Sequence, residues 1–246
     1  MRLPLPREHG AWVMTTLALV AGWNVGGAPA GMDALLVTIS VVLAFFAQAA
    51  WLEMAAPRWI WKTESALSAA LSLAVVHSLG ARFALVGAVV GIFGFLAQGL
   101  RERERVAARI RLSAFGAHLA GAAALSGCAA LVLASRAAPL HELIWSWWIL
   151  GLGFGGGVVF VQAVMPGKNR SLVPLGWLSG LAIGTVCICQ YLSFEFLPTL
   201  FALTPVFARL SLAPLGRRRG MSWKAAGWLE TSFGIWTVFW MIKAFA

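Results

Sequence analysis

The sequence predicts an all-α fold: a polytopic membrane helix bundle of about nine transmembrane helices, N-terminus cytoplasmic and C-terminus outside. Three observations predict it. Apolar residues make up 60% of the 246 and charged residues only 11%, with a mean hydropathy of +0.82, whereas soluble domains carry about 25% charged residues. The apolar residues gather into runs of roughly 17–23, each able to cross about 30 Å of hydrocarbon as a helix. The basic residues alternate between the loops as the positive-inside rule requires.

The runs place spans at 11–29, 33–54, 64–79, 82–100, 112–134, 143–165, 172–191, 194–210 and 225–244. Together they form one integral-membrane domain over 1–246, with 1–12 as an interfacial N-terminal segment. The first run is too long for a cleavable signal and lacks a small-residue cleavage region. It is preceded by "PLPREHGAW", in which Arg7, Glu8 and His9 lie directly against apolar sequence. Pro4 and Pro6 bar a long amphipathic helix there, so the segment is expected to fold back towards the bundle, with Trp12 fixing its depth.

Span 2 carries Gln48 near its inner end and Glu53 just beyond. Span 3 opens with Glu64, Ser68 and Ser72 at i, i+4 and i+8, one helical face, and that face is expected to line a cavity. Span 4 ends on Gln98 and passes into "RERERVAARIR". Span 5 holds His118, read as a hydrogen-bonded core histidine in preference to a haem ligand. Span 6 contains "GLGFGGGVVF", Gly151 to Phe160. With no preceding strand and no GK[ST], this run reads as close helix approach, not as a phosphate loop. Gln162 lies near the inner end of span 6. Span 9 places Glu230 about one and a half turns in.

Charge tests the layout. The inner segments receive Arg2 and Arg7; Arg58 and Lys62; Arg101, Arg103, Arg105, Arg109 and Arg111; Lys168 and Arg170; and Arg209, Arg217, Arg218, Arg219 and Lys224. Only Arg82, Arg136 and Lys243 of the 19 basic residues fall outside. A missed helix would invert every later loop and scramble this split. The same rule accounts for the net charge of +10 and the pI near 11.0. No nucleic-acid motif accompanies the charge, so nucleic acid is not expected as a partner. Among 13 tryptophans, Trp12, Trp59, Trp61 and Trp223 sit at inner boundaries and Trp145, Trp147 and Trp148 at an outer one, as interfacial anchors do.

Polar groups at membrane depth are costly. Gln48, Gln98 and Gln162 share a position in "FAQAAWLE", "LAQGLRER" and "FVQAVMPGK", which suggests one polar layer beneath the inner loops. Glu230 needs a partner, for which Arg7, Lys168 and Arg170 qualify by depth. Cys128, Cys187 and Cys189 have no metal-ligand or CxxC spacing and read as packing residues. The candidate binding set is Arg7, Glu8, His9, Gln48, Glu53, Gln98, Arg103, Gln162, Lys168, Asn169, Arg170 and Glu230. No metal site or cofactor is specified.

The motifs "PREHGAWVM" (Pro6 to Met14), an "RER" loop after the fourth span, "VFVQ…KNR" after the sixth and "GWLE" entering the last resemble the YwiC-like membrane proteins. That resemblance implies architecture more than activity. The chain is also similar in layout to UbiA-type intramembrane prenyltransferases, which hold a prenyl diphosphate through magnesium on aspartate-rich motifs. Here the corresponding segments read "QAAWLEMAAPR" and "QAVMPGKNR", and the single aspartate, Asp33, is on the outer side. The standard magnesium-diphosphate reaction is therefore not expected.

Three functions fit these residues. In the first, a cytoplasm-facing, cation-lined pocket binds or transports an anionic amphiphile or small anion, with an anionic lipid, isoprenoid or quinone-like molecule as ligand. The others are a divergent transferase on an isoprenoid or lipid, and an accessory or assembly subunit of a membrane complex.

Overall fold

The computed structural model describes residues 9–25, 31–53, 58–106, 111–165, 171–191 and 196–245; within these, 9–10, 47–53, 58–61, 64, 75, 78–79, 101–106, 111–114 and 190–191 are described by backbone alone. The described residues fold as helices with no strand: α1 (His9–Asn24), α2 (Met32–Glu53), α3 (Arg58–Leu79), α4 (Ala81–Val106), α5 (Arg111–Ser135), α6 (Leu140–Val164), α7 (Val173–Tyr191), α8 (Phe196–Arg219) and α9 (Trp223–Ala244). Among the described residues, four segments are long and apolar enough to cross a bilayer: Ala81–Leu100, Phe115–Ser135, Leu140–Val164 and Phe196–Arg219. This is a helical membrane protein.

Several helices outrun the apolar segments that signalled them. α3 begins at Arg58, α4 continues to Val106 and α8 to Arg219. Arg, Lys and Glu are good helix formers, so the backbone stays helical after hydropathy has fallen. α1 does the opposite and ends at Asn24, short of the expected 29. Its last carbonyls have an external partner: Arg136 Nη1 donates to the carbonyls of Gly22, Trp23 and Val25 at 2.8, 2.9 and 3.0 Å. Arg217 does the same at the end of α6, donating from Nε to the Ala163 carbonyl at 2.8 Å. Arg82 donates to the Ala138 carbonyl in the α5–α6 turn. Two of the three basic residues assigned outside, Arg82 and Arg136, are thus engaged with backbone carbonyls.

Small residues let the central helices meet. A Cβ on Gly22 would lie 2.7 Å from Val132 Cβ and 2.8 Å from the Ala129 carbonyl oxygen, so α1 crosses α5 nearly backbone to backbone. Ala18, Ala21, Ala129 and Ala130 are fully buried beside this crossing, the small-residue packing that membrane helices use where lipid removes a hydrophobic drive. α5 and α6 form the centre. α8 and α9 pack on α6, α7 on α8, α4 on α5, and α3 mainly on α2, which reaches α5.

Two joints and one proline matter for the sites below. Gly80, at φ +75°, is the only residue between α3 and α4. Gly220, at φ +66°, ends α8; the Met221 N–H donates to the Gly216 carbonyl at 3.0 Å and Ser222 caps α9 by accepting from Ala225 N–H at 3.2 Å. Both glycines take left-handed conformations that Cβ disfavours. Within α8, Pro205 has no N–H for the Phe201 carbonyl. Thr204 Oγ1 and Trp236 Nε1 donate to that carbonyl at 2.7 and 2.8 Å, the compensation expected where water is absent.

The tryptophans expected as interface anchors also tie helices together. Trp147 Nε1 donates to the Ala123 carbonyl on α5 and Trp148 Nε1 to Thr185 on α7, both at 2.8 Å.

Candidate functional site

Two polar features stand out among the described residues. The first is a cleft of about 1110 Å³ walled by α2, α3, α4 and α5, just above the usual range for ligand pockets. It runs along α4 from Phe83 to Gln98, a rise of about 22 Å at 1.5 Å per residue. That is roughly three-quarters of the hydrocarbon thickness. The lining is mostly apolar. Phe45, Phe83 and Phe95 contribute aromatic surface, and Gly87, Gly91 and Gly94 keep the α4 wall low. A Cβ added to Gly91 or Gly94 would meet nothing within 4 Å, so no other part of the protein crowds this wall.

The polar face of α3 lines this cleft, as its serine spacing suggested. Ser40 on α2 donates to the Ser68 carbonyl at 3.0 Å, Ser68 returns a bond to the Ser40 carbonyl at 2.9 Å, and the Ser40 and Ser72 hydroxyls lie 2.6 Å apart. These bonds staple α3 to α2 and satisfy the three hydroxyls among themselves. Thr15 and Cys128, also in the lining, bond the Ala11 and Ala124 carbonyls. Ser65 and Gln98 make no hydrogen bond to a described residue.

The second feature is a buried ion pair. Arg209 on α8 grips Glu230 on α9 through two parallel bonds, Nε to Oε1 at 3.0 Å and Nη2 to Oε2 at 2.6 Å. The side chains are 2% and 14% exposed. The Arg209 guanidinium also lies over the Phe233 ring, 5.0 Å from its centroid, an attractive placement for a cation. α6 accommodates the pair through its glycines. A Cβ on Gly157 would sit 2.2 Å from Glu230 Oε2, and one on Gly156 would sit 3.0 Å from Arg209 Nη1. The run read as close helix approach admits charged side chains from α8 and α9 against the α6 backbone. Two opposite charges with fork-to-fork bonding survive at this depth because each neutralises the other.

Arg209 is absent from the expected binding set. Hydropathy ended the eighth span at 210 and put Arg209 in an inner segment, yet α8 continues to Arg219 and buries it. The partner of Glu230 is Arg209. Arg7, Lys168 and Arg170, proposed by depth, lie outside the described residues. A usable signal existed. Arg209 precedes the Gly220 turn by 11 residues and Glu230 follows it by 10, so an antiparallel hairpin brings them level.

Of the other candidate residues, Glu8 and Asn169 also lie outside the described residues. His9 begins α1, Gln48 and Glu53 lie on the last turns of α2, and Arg103 is near the end of α4, each known by backbone alone. Gln98 lines the cleft. Gln162 is half-buried on α6 and Glu230 is held by Arg209; neither is part of the cleft lining. His118 sits half-buried on α5.

At the opposite end, burial pushes the Arg136 guanidinium below its ordinary value, and Glu142 opposes that shift. A guanidinium begins so far above neutrality that it keeps its proton and its grip on α1.

Compared with family models, curated proteins and solved structures, the chain has no match. Fold and site together define a helical membrane protein with an apolar cleft between its helices.

Proposed function

We propose that this is a multi-pass protein of the cell inner membrane, with a cytoplasmic N-terminus and an external C-terminus, that binds a membrane-resident amphiphile in the α2–α5 cleft. Binding, with or without transport, is its role. The resemblance of the motifs beginning at Pro6 to the YwiC-like proteins supports this architecture. One observation carries the reading: a mostly apolar cleft follows α4 for about 22 Å and reaches Gln98, one turn before the charged stretch Arg101–Arg105, with three arginines and two glutamates, on the same helix. An amphiphile has that polarity profile, with a long apolar body and one polar end. Three arginines against two glutamates leave that end net positive, which suits an anionic group.

The test fills the cleft without disturbing the bundle. Gly91→Leu and Gly94→Leu each put a side chain into open space and replace a poor helix former by a good one. Both variants should fold as stably as the parent, and mass spectrometry of the purified protein should show the retained amphiphile lost. Retention of the same molecule at full stoichiometry would reject the cleft as its site.

A further inference from the structure

Building on that reading of the cleft, we infer that its occupant is an anionic diacyl glycerophospholipid, recognised at its ester carbonyls by Gln98 and Ser65 and at its phosphate by the arginine-rich end of α4. Ser65 lies 15 residues before the Gly80 joint and Gln98 lies 18 after it. Both line the cleft, so they stand on facing helices at the end remote from Gly80. The serines deeper in the cleft are engaged with one another. Hydrogen-bonding capacity is therefore concentrated at one end, above a long apolar floor.

The order of groups along α4 matches the order along a phospholipid. From Phe83 to Phe95 the wall is apolar or glycine, the level of acyl chains. Gln98 follows, and its amide N–H donors and the Ser65 hydroxyl suit ester carbonyls, which are acceptors only. Arg101, Arg103 and Arg105, interleaved with Glu102 and Glu104 and leaving the segment net positive, come about 4.5 to 10 Å further along the helix at 1.5 Å per residue, the position of the phosphate. Guanidinium groups pair with phosphate through two bonds. α3 and α4 are packed chiefly on α2 and α5, not on each other, which leaves a side opening to the bilayer.

The experiment uses the full chain, delipidated in detergent and titrated with phosphatidylglycerol, its ether-linked analogue and phosphatidylcholine, with binding read by native mass spectrometry. Ester-linked phosphatidylglycerol should bind about three- to tenfold more tightly than the ether analogue, which has the phosphate but no carbonyls. Gln98→Leu with Ser65→Ala should abolish that difference. Arg101→Gln with Arg103→Gln and Arg105→Gln should instead abolish the preference for phosphatidylglycerol over phosphatidylcholine. Circular dichroism should confirm helicity in each variant. Equal binding of ester and ether lipids by the parent, or an isoprenoid or quinone as the tightly held species, overturns the inference while leaving the cleft reading intact. Phosphatidylglycerol binding that Gly91→Leu does not alter is annular contact alone and overturns both.

Discussion

Arg209 and Glu230 meet in a two-pronged ion pair, 2.6 Å at its shorter contact, pressed against the bare backbone of Gly157. It joins α8 to α9 and sets both against α6. Breaking such a buried pair by removing one partner costs about 3–5 kcal/mol, because the other charge is stranded. Arg209→Met should therefore destabilise the protein by about that amount, and adding Glu230→Gln should restore part of the loss. A double-mutant cycle of unfolding in detergent measures this. Additive single effects would mean that the pair is not coupled.

The glycines separate by their surroundings. Gly157→Ala pushes a methyl group to 2.2 Å from the Glu230 carboxylate and should destabilise the protein by more than about 1 kcal/mol. Gly91→Ala enters open space and should raise stability by roughly 0.5–1 kcal/mol through helix propensity. Thermal unfolding of the two variants reads opposite signs.

Trp236 substitutes for the N–H that Pro205 lacks. Trp236→Phe should cost about 1 kcal/mol in the parent. In a Pro205→Ala background, where the helix supplies its own donor to Phe201, the same change should cost much less. The difference between the two measured costs isolates the contact.

Arg136 holds three carbonyls at the end of α1. Arg136→Gln should cost about 1.5–3 kcal/mol, the value of hydrogen bonds from a charged donor. Amide hydrogen exchange should then rise in the last turn of α1 before it rises in α5.

The sequence makes the helical character and the polar face of α3 readable, because hydropathy and serine spacing are local signals. Helix ends are less readable: Arg58, Val106 and Arg219 extend helices by propensity, which hydropathy does not register. The ion pair is hidden for another reason. Arg209 looks like a loop charge until the α8–α9 turn is fixed at Gly220, and only then does its distance from Glu230 become a shared depth. The role of Gly157 depends in turn on that pair. The cleft itself arises from how α3 and α4 separate after Gly80, a consequence of packing and not of any local motif.

The most direct test is an electron cryo-microscopy map of the full chain purified with native lipid. The account predicts elongated, tail-like density between α3 and α4, running from the level of Gln98 towards Phe83. A map in which α3 closes onto α4 and eliminates the cleft, with lipid density confined to the outer surface of the bundle, would contradict it.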